Sequence, residues 1–121
     1  MNKHILLIDD EEEIRDLLAR FLISSGYRVT SVASAAEAQA TVQRDPPDLI
    51  ISDLQLEDED GLNMIAQLKT VLPNVPVILL SGMLFDRQVV RENLSKKVSC
   101  YLDKTSSLEQ IVEAVRRHLR Q

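Results

Sequence analysis

The sequence has little cysteine, few aromatic residues and no long apolar run. Its only cysteine is Cys100, which excludes a disulfide within the chain and favours a reducing compartment. Aromatic residues make up 3% of the chain, so Leu, Ile, Val and Ala must build most of the core. No stretch reaches the ~18 apolar residues of a membrane-spanning helix, and the first residues lack the layout of a signal peptide. We therefore expect a cytoplasmic protein without membrane insertion.

The residues that are present suit one compact domain with an acidic first half. The chain has 121 residues, of which 45% are apolar and 27% charged, so we expect a single domain over residues 1–121. Residues 1–60 contain 14 acidic and 5 basic residues. This imbalance favours a cation site over nucleic acid. Because no nucleic-acid recognition motif is present either, we expect no direct nucleic-acid binding.

Short β-rich apolar runs alternate with segments of helical periodicity. The predicted strands β1 to β5 cover residues 4–8, 28–32, 48–52, 77–80 and 98–102. The predicted helices are α1 at 11–24, α2 after residue 34, α3 at 62–71, α4 at 86–94 and α5 at 107–119. Five such units predict an α/β fold with a five-stranded parallel sheet of order 2-1-3-4-5 and five helices on both faces, the flavodoxin-like arrangement.

Local signals predict how the first two helices begin and end. In α1, a helical spacing of apolar residues predicts one buried face, made of Ile14, Leu17, Leu18, Phe21 and Leu22. Gly26 is a typical residue after a helix end. Ser34, with Glu37 three residues later, predicts a capping box at the start of α2.

Polar residues follow the predicted strands where these strands end. Asp9 and Asp10 follow β1, Asp53 follows β3, Ser81 follows β4 and Lys104 follows β5. Each has a structural explanation by itself: acids favour helix N-termini, Asp and Ser-Gly form turns, and lysine is usually solvated. Since the carboxyl ends of parallel strands share one edge of a sheet, their joint position favours a functional site at the point where the strand order reverses.

The chemistry of such a site follows from its charge. Carboxylates brought close together repel one another unless a cation lies among them. Oxygen ligands suit Mg²⁺, which prefers one or two carboxylates together with a phosphate. One Asp could then attack a phosphoryl donor, with a lysine and a hydroxyl left to hold the remaining phosphoryl oxygens.

These segments together resemble the receiver domains of two-component response regulators, and the resemblance covers essentially the whole chain. The motifs are ILLIDDE at 5–11, DLIISD at 48–53, Asp60-Gly61, VILLSG at 77–82 and YLDK at 101–104. The resemblance implies a phosphoacceptor that receives its phosphoryl group from a histidine kinase or a phosphotransfer protein. It implies no enzyme activity beyond its own phosphorylation and dephosphorylation.

Site residues follow from the same resemblance. Asp53 maps to the phosphorylated acid. Asp9, Asp10 and Asp53, with the backbone carbonyl of Gln55, map to the Mg²⁺ site. The hydroxyl and the amine of the family map to Ser81 and Lys104. Ser81 and Tyr101 map to a switch that changes the surface formed by α4, β5 and α5, through which an output partner of unknown identity would be engaged.

The chain departs from the family pattern in three places. Thr105 follows Lys104 where the family usually has Pro, which leaves the position of the lysine open. The loop at 54–61 is unusually acidic, and the turn at 95–98 lacks the usual Gly-Ala pair. Two alternatives stay open. One is a phosphatase of the haloacid dehalogenase type, disfavoured because Gln55 replaces its second Asp, and the other is a receiver-like interaction module that works without phosphorylation.

Overall fold

A computed structural model describes residues 2–53, 61–81, 100–103 and 107–119. Of these, residues 61, 62, 81, 101 and 103 are described by their backbone alone. The predicted helix α4 at 86–94, the metal-ligand prediction at Gln55 and the site prediction at Lys104 lie outside the described residues.

The five strands form one parallel sheet of order β2-β1-β3-β4-β5, which confirms the predicted strand order. Their bounds are β1 His4–Ile8, β2 Arg28–Val32, β3 Leu49–Asp53, β4 Val77–Ser81 and β5 Cys100–Asp103. The strand β3 begins one residue later than predicted and includes Asp53 itself. Every residue of β1 and β3 is buried, as expected of central strands covered on both faces.

The described residues contain the four helices α1 Glu12–Ser24, α2 Ala35–Arg44, α3 Gly61–Val71 and α5 Leu108–Leu119. The bounds of these four helices agree with the predicted bounds to within a residue or two. For α2 only the start had been predicted. In this part of the chain, every helix is too short or too polar to cross a bilayer.

Alternate residues of the central strands pack on opposite faces of the sheet. Ile5 and Leu7 lie in one buried cluster with residues of α1 and α5. Leu6 and Ile8 lie in the other, with residues of α2 and α3. Helices therefore cover both faces, and the strand ends at the carboxyl edge are held by a core on either side.

The local signals were right at two helix ends and wrong at one position. Gly26 follows α1 with φ of +102°, a conformation that side chains other than glycine rarely adopt. The hydroxyl of Ser34 accepts a hydrogen bond from the Glu37 N–H at 3.2 Å, which confirms this cap. Leu17, predicted to be buried, is 54% exposed, because α1 buries the narrower stripe containing Leu18 and Leu22.

Candidate functional site

The pairing of β1 with β3 brings two aspartates to the same edge of the sheet. Ile8 pairs with Ser52 in the parallel register, so Asp9 and Asp53 are the next residues along two adjacent strands. Both side chains are enclosed, with Asp9 1% and Asp53 7% exposed. Two carboxylates are thus held side by side with little access to water.

Four carboxyl groups meet at this edge. One oxygen atom from each of Asp9, Asp10, Glu11 and Asp53 lies within 4.8 Å of the others. Asp10 is half-buried and Glu11 exposed. The predicted metal set of Asp9, Asp10 and Asp53 is therefore brought together. Glu11 was not predicted as a member, although the acidic run that starts at Asp9 was the signal that could have indicated it.

Hydrogen bonds fix Asp9 through three of its atoms. Its backbone N–H donates to the Val32 carbonyl at 3.1 Å, which ties it to β2. Its Oδ1 accepts from the Glu11 N–H at 2.8 Å. Its carbonyl oxygen accepts from Nη1 of Arg15 on α1 at 2.8 Å. The turn between β1 and α1 is therefore held by groups from a neighbouring strand and from the helix that follows.

Of the other predicted site residues, Ser81 lies at the same edge and Tyr101 lies within the neighbouring strand. Asp53 pairs with Leu80, and Ser81 pairs with Asp103. Ser81 is thus one residue beyond the partner of Asp53, on the adjacent strand. Tyr101 lies within β5, opposite Leu79. Lys104 directly follows the end of β5, and its bond to Thr105 lies outside the described residues.

The composition of this cluster suits a hard divalent cation. Its donors are carboxylate oxygens, the ligands that Mg²⁺ prefers. Within the described residues, the acids of the cluster come from two strand ends rather than from one exposed helix face. Because like charges at this spacing repel one another, a bound cation would be stabilised by the cluster and would stabilise it in return.

Two titratable side chains outside this edge have structural explanations. Nζ of Lys69 donates to the carbonyl oxygens of Pro73 at 3.2 Å and Val75 at 2.7 Å, and burial lowers its pKa. Cys100 is half-buried against the core. Burial raises the pKa of its thiol, an effect that Arg117 partly offsets, so this cysteine is a poor nucleophile.

The comparison with known families shows which family this chain belongs to. Residues 5–116 match the family model of the response regulator receiver domain. The chain belongs to this family. Receiver domains are signalling modules of two-component systems, whose response regulators pair with histidine kinases, and they generally bind Mg²⁺ at an acidic pocket. Nothing in the comparisons favours an interaction module that works without phosphorylation.

Curated proteins similar to this receiver domain are regulators with longer chains. It is 35% identical over 119 residues to the response regulator protein VraR of Staphylococcus aureus, covering 97% of this chain and 56% of VraR. It is 40% identical over 79 residues to the transcriptional regulatory protein GlrR of Escherichia coli, covering 65% of this chain and 18% of GlrR. The matched part of the chain thus spans 18% of the length of GlrR and 56% of the length of VraR.

Solved structures agree on the fold. A CheY-like response regulator receiver domain protein from Methanospirillum hungatei superposes with a TM-score of 0.91 at 24% identity, covering 98% of this chain and 94% of that one. The receiver domain of NtrX from Brucella abortus gives a TM-score of 0.87 at 26% identity, covering 95% and 97%.

Proposed function

We propose that this receiver domain accepts a phosphoryl group on Asp53 from a histidine kinase or a phosphotransfer protein. The observation that supports this most directly is the convergence of Asp9, Asp10 and Asp53 at the carboxyl end of adjacent strands. Asp53 is nearly buried, which limits the access of water to a phosphoryl group bound there.

The side chains divide the chemistry among themselves. A carboxylate oxygen of Asp53 attacks phosphorus, so that a new O–P bond forms while the P–N bond to the donor histidine breaks. Asp9, Asp10 and Asp53, with the carbonyl of Gln55, would hold Mg²⁺. The cation supplies neutralisation of the charge on both anionic partners. Ser81 and Lys104 would donate to the remaining phosphoryl oxygens.

Phosphorylation would be transmitted to a partner through residues near the same edge of the sheet. Ser81 lies at the end of β4, opposite Asp103, and Tyr101 lies two residues before Asp103 on the adjacent β5, so a phosphoryl group that draws the hydroxyl of Ser81 would act next to the strand that carries Tyr101. The surface formed by α4, β5 and α5 would then engage an output partner. We assign the receiver function to residues 1–121, in the cytoplasm, without direct nucleic-acid binding.

A phosphorylation assay tests this proposal. The domain is incubated with Mg²⁺ and acetyl phosphate, and the intact mass is followed together with a peptide map. The mass of one phosphoryl group is expected on Asp53, with no increase for Asp53→Asn or in excess EDTA. Asp16→Asn, which removes an exposed acid from α1, is the matched control and should be labelled like the wild type.

The other outcomes identify the alternatives. Failure of the wild type to label, under conditions that label another receiver domain, would support an interaction module that works without phosphorylation. Multiple-turnover hydrolysis of a phosphate monoester would support a phosphatase, whereas slow turnover of acetyl phosphate also follows from phosphorylation and dephosphorylation of Asp53. A label on a residue other than Asp53 would remove the assigned role of this residue.

A further inference from the structure

The side chain of Arg15 is attached to the turn that carries the acidic pair. Its Nη1 donates to the carbonyl oxygen of Asp9 at 2.8 Å, and its backbone N–H donates to the carbonyl oxygen of Glu11 at 2.9 Å. Arg15 lies near the start of α1 and is half-buried. The second bond is the ordinary first hydrogen bond of α1, which begins at Glu12, so the contact that is specific to the Arg15 side chain is the one to the Asp9 carbonyl.

The contact with the Asp9 carbonyl determines the orientation of the next residue. The Asp9 carbonyl and the Asp10 N–H belong to one planar peptide unit. Fixing that carbonyl oxygen therefore fixes the plane from which the Cα atom of Asp10 departs. The hydrogen bond from the Glu11 N–H to Oδ1 of Asp9 closes a ring that also contains this peptide unit, so the bond from Arg15 is a second constraint on the same plane, made from the helix that follows the turn.

We propose that Arg15 is a positioning residue for the cation site, which orients the carboxylate of Asp10 through the backbone of Asp9. This inference rests on the proposed Mg²⁺ site. A guanidinium suits the task, because it is planar and permanently charged, and it donates in a fixed direction to a carbonyl oxygen.

The charge of Arg15 has the opposite effect on cation binding from its hydrogen bond. A guanidinium bonded to the backbone of Asp9 repels a cation that approaches the acidic cluster, so a variant that merely lost this charge would bind Mg²⁺ more tightly. A variant that lost the orientation of Asp10 would bind Mg²⁺ more weakly. The sign of the change in affinity therefore separates positioning from simple charge screening.

Isothermal titration with MgCl₂, without a phosphodonor, measures this change. Arg15→Met removes the charge and the donors but keeps an apolar stem, and Arg20→Met is the matched control, since Arg20 is an exposed arginine of the same helix. Arg15→Met is expected to weaken Mg²⁺ binding about tenfold, as for other groups that orient metal ligands. Arg20→Met should leave the affinity within about twofold of the wild type.

Several results would overturn the proposal. These are an affinity of Arg15→Met equal to or above that of the wild type, or an equal loss in Arg20→Met. Urea unfolding in EDTA establishes that the variants are folded. If Arg15→Met does not fold, Arg15→Lys keeps the charge but not the planar donor group; it is expected to bind more weakly than the wild type, and an unchanged affinity would contradict the proposal.

The titration and the labelling assay fail independently. If the wild type binds Mg²⁺ with the expected ranking of variants but Asp53 is not labelled, the proposed phosphoacceptor function fails and the role of Arg15 stands. If Asp53 is labelled and Arg15→Met keeps the wild-type affinity, the role of Arg15 fails alone.

Discussion

The two edges of the sheet treat charge in opposite ways. At the amino edge, opposite charges and hydrogen-bonding groups are matched: Nη1 of Arg28 lies 2.6 Å from Oδ2 of Asp45, and Oδ2 of Asp48 accepts the backbone N–H of His4 at 2.8 Å. At the carboxyl edge, carboxyl groups from Asp9, Asp10, Glu11 and Asp53 are gathered. Matched groups attract one another, whereas clustered acids repel one another, and a bound cation would relieve that repulsion.

His4 shows how fully the amino edge is satisfied. This histidine is 1% exposed. Its Nδ1 faces two acceptors, the Pro46 carbonyl at 3.3 Å and the carboxylate of Asp45 at 3.8 Å, so we assign a proton to Nδ1. Its Nε2 lies 2.7 Å from the Thr30 hydroxyl, which donates when the ring is neutral. These bonds join β1, β2 and the segment before β3.

The largest effect is expected from breaking the amino edge. His4→Ala should lower the free energy of unfolding by about 3 kcal/mol, because it leaves a cavity and removes the partners of buried polar groups. Urea unfolding followed by far-UV circular dichroism measures this, since the chain has no Trp. Lys3→Ala, at the exposed neighbouring residue, is the control and should change stability by less than about 0.5 kcal/mol. A loss for His4→Ala as small as that of the control would contradict the matched network.

The next largest effect on stability is expected from binding Mg²⁺ to the acidic cluster at the carboxyl edge. Mg²⁺ at about 100 times its Kd should stabilise the wild type by about 2.7 kcal/mol. In EDTA, Asp10→Asn should be more stable than the wild type by about 1 kcal/mol, because repulsion within the cluster is relieved, and Mg²⁺ should then add little. Asp16→Asn should behave like the wild type in both conditions. A variant that is less stable in EDTA would show that the acidic cluster carries no electrostatic cost.

The smallest effect concerns the exposed ion pair of the amino edge. The hydrogen bond from Arg28 is the main reason that the pKa of Asp45 lies below its ordinary value. A lowered folded-state pKa gives a contribution to stability that is present above the unfolded pKa of about 4 and is lost as pH falls through the folded pKa. Asp45→Asn should therefore be slightly less stable than the wild type at pH 7, and the two urea midpoints should converge below about pH 4. A difference that persists undiminished in acid would assign the effect to packing instead.

The acidic residues of the carboxyl edge could be predicted from the sequence, whereas the hydrogen bonds of the amino edge could not. The predicted site depended on strand ends, and these follow from apolar runs that are easy to recognise, so Asp9, Asp10 and Asp53 were placed together correctly. The network around His4 was missed, because its partners lie 26 to 44 residues away in sequence and no local pattern connects them. The hydrogen bond from Arg15 to a backbone carbonyl was missed for a related reason, since backbone acceptors leave no signature in residue types.

The prediction for α1 shows a limit of periodicity. The helical spacing of apolar residues predicted that Leu17 and Leu18 lie on the same buried face of α1. In the structure Leu18 is buried and Leu17 is 54% exposed. Adjacent helical residues differ by about 100° around the axis, and only the packing partner decides which flank of an apolar stripe is covered.

The amino-acid sequence by itself determined the alternation of strands and helices, the cap at Ser34, the stop at Gly26 and the positions of acids at the ends of β1 and β3, because each depends on neighbouring residues. The tertiary structure alone decided which of those acids share a site, which atoms orient them and which apolar residues meet water. Those outcomes depend on the register between strands that are far apart in the chain, and register is determined by the packing of the whole sheet.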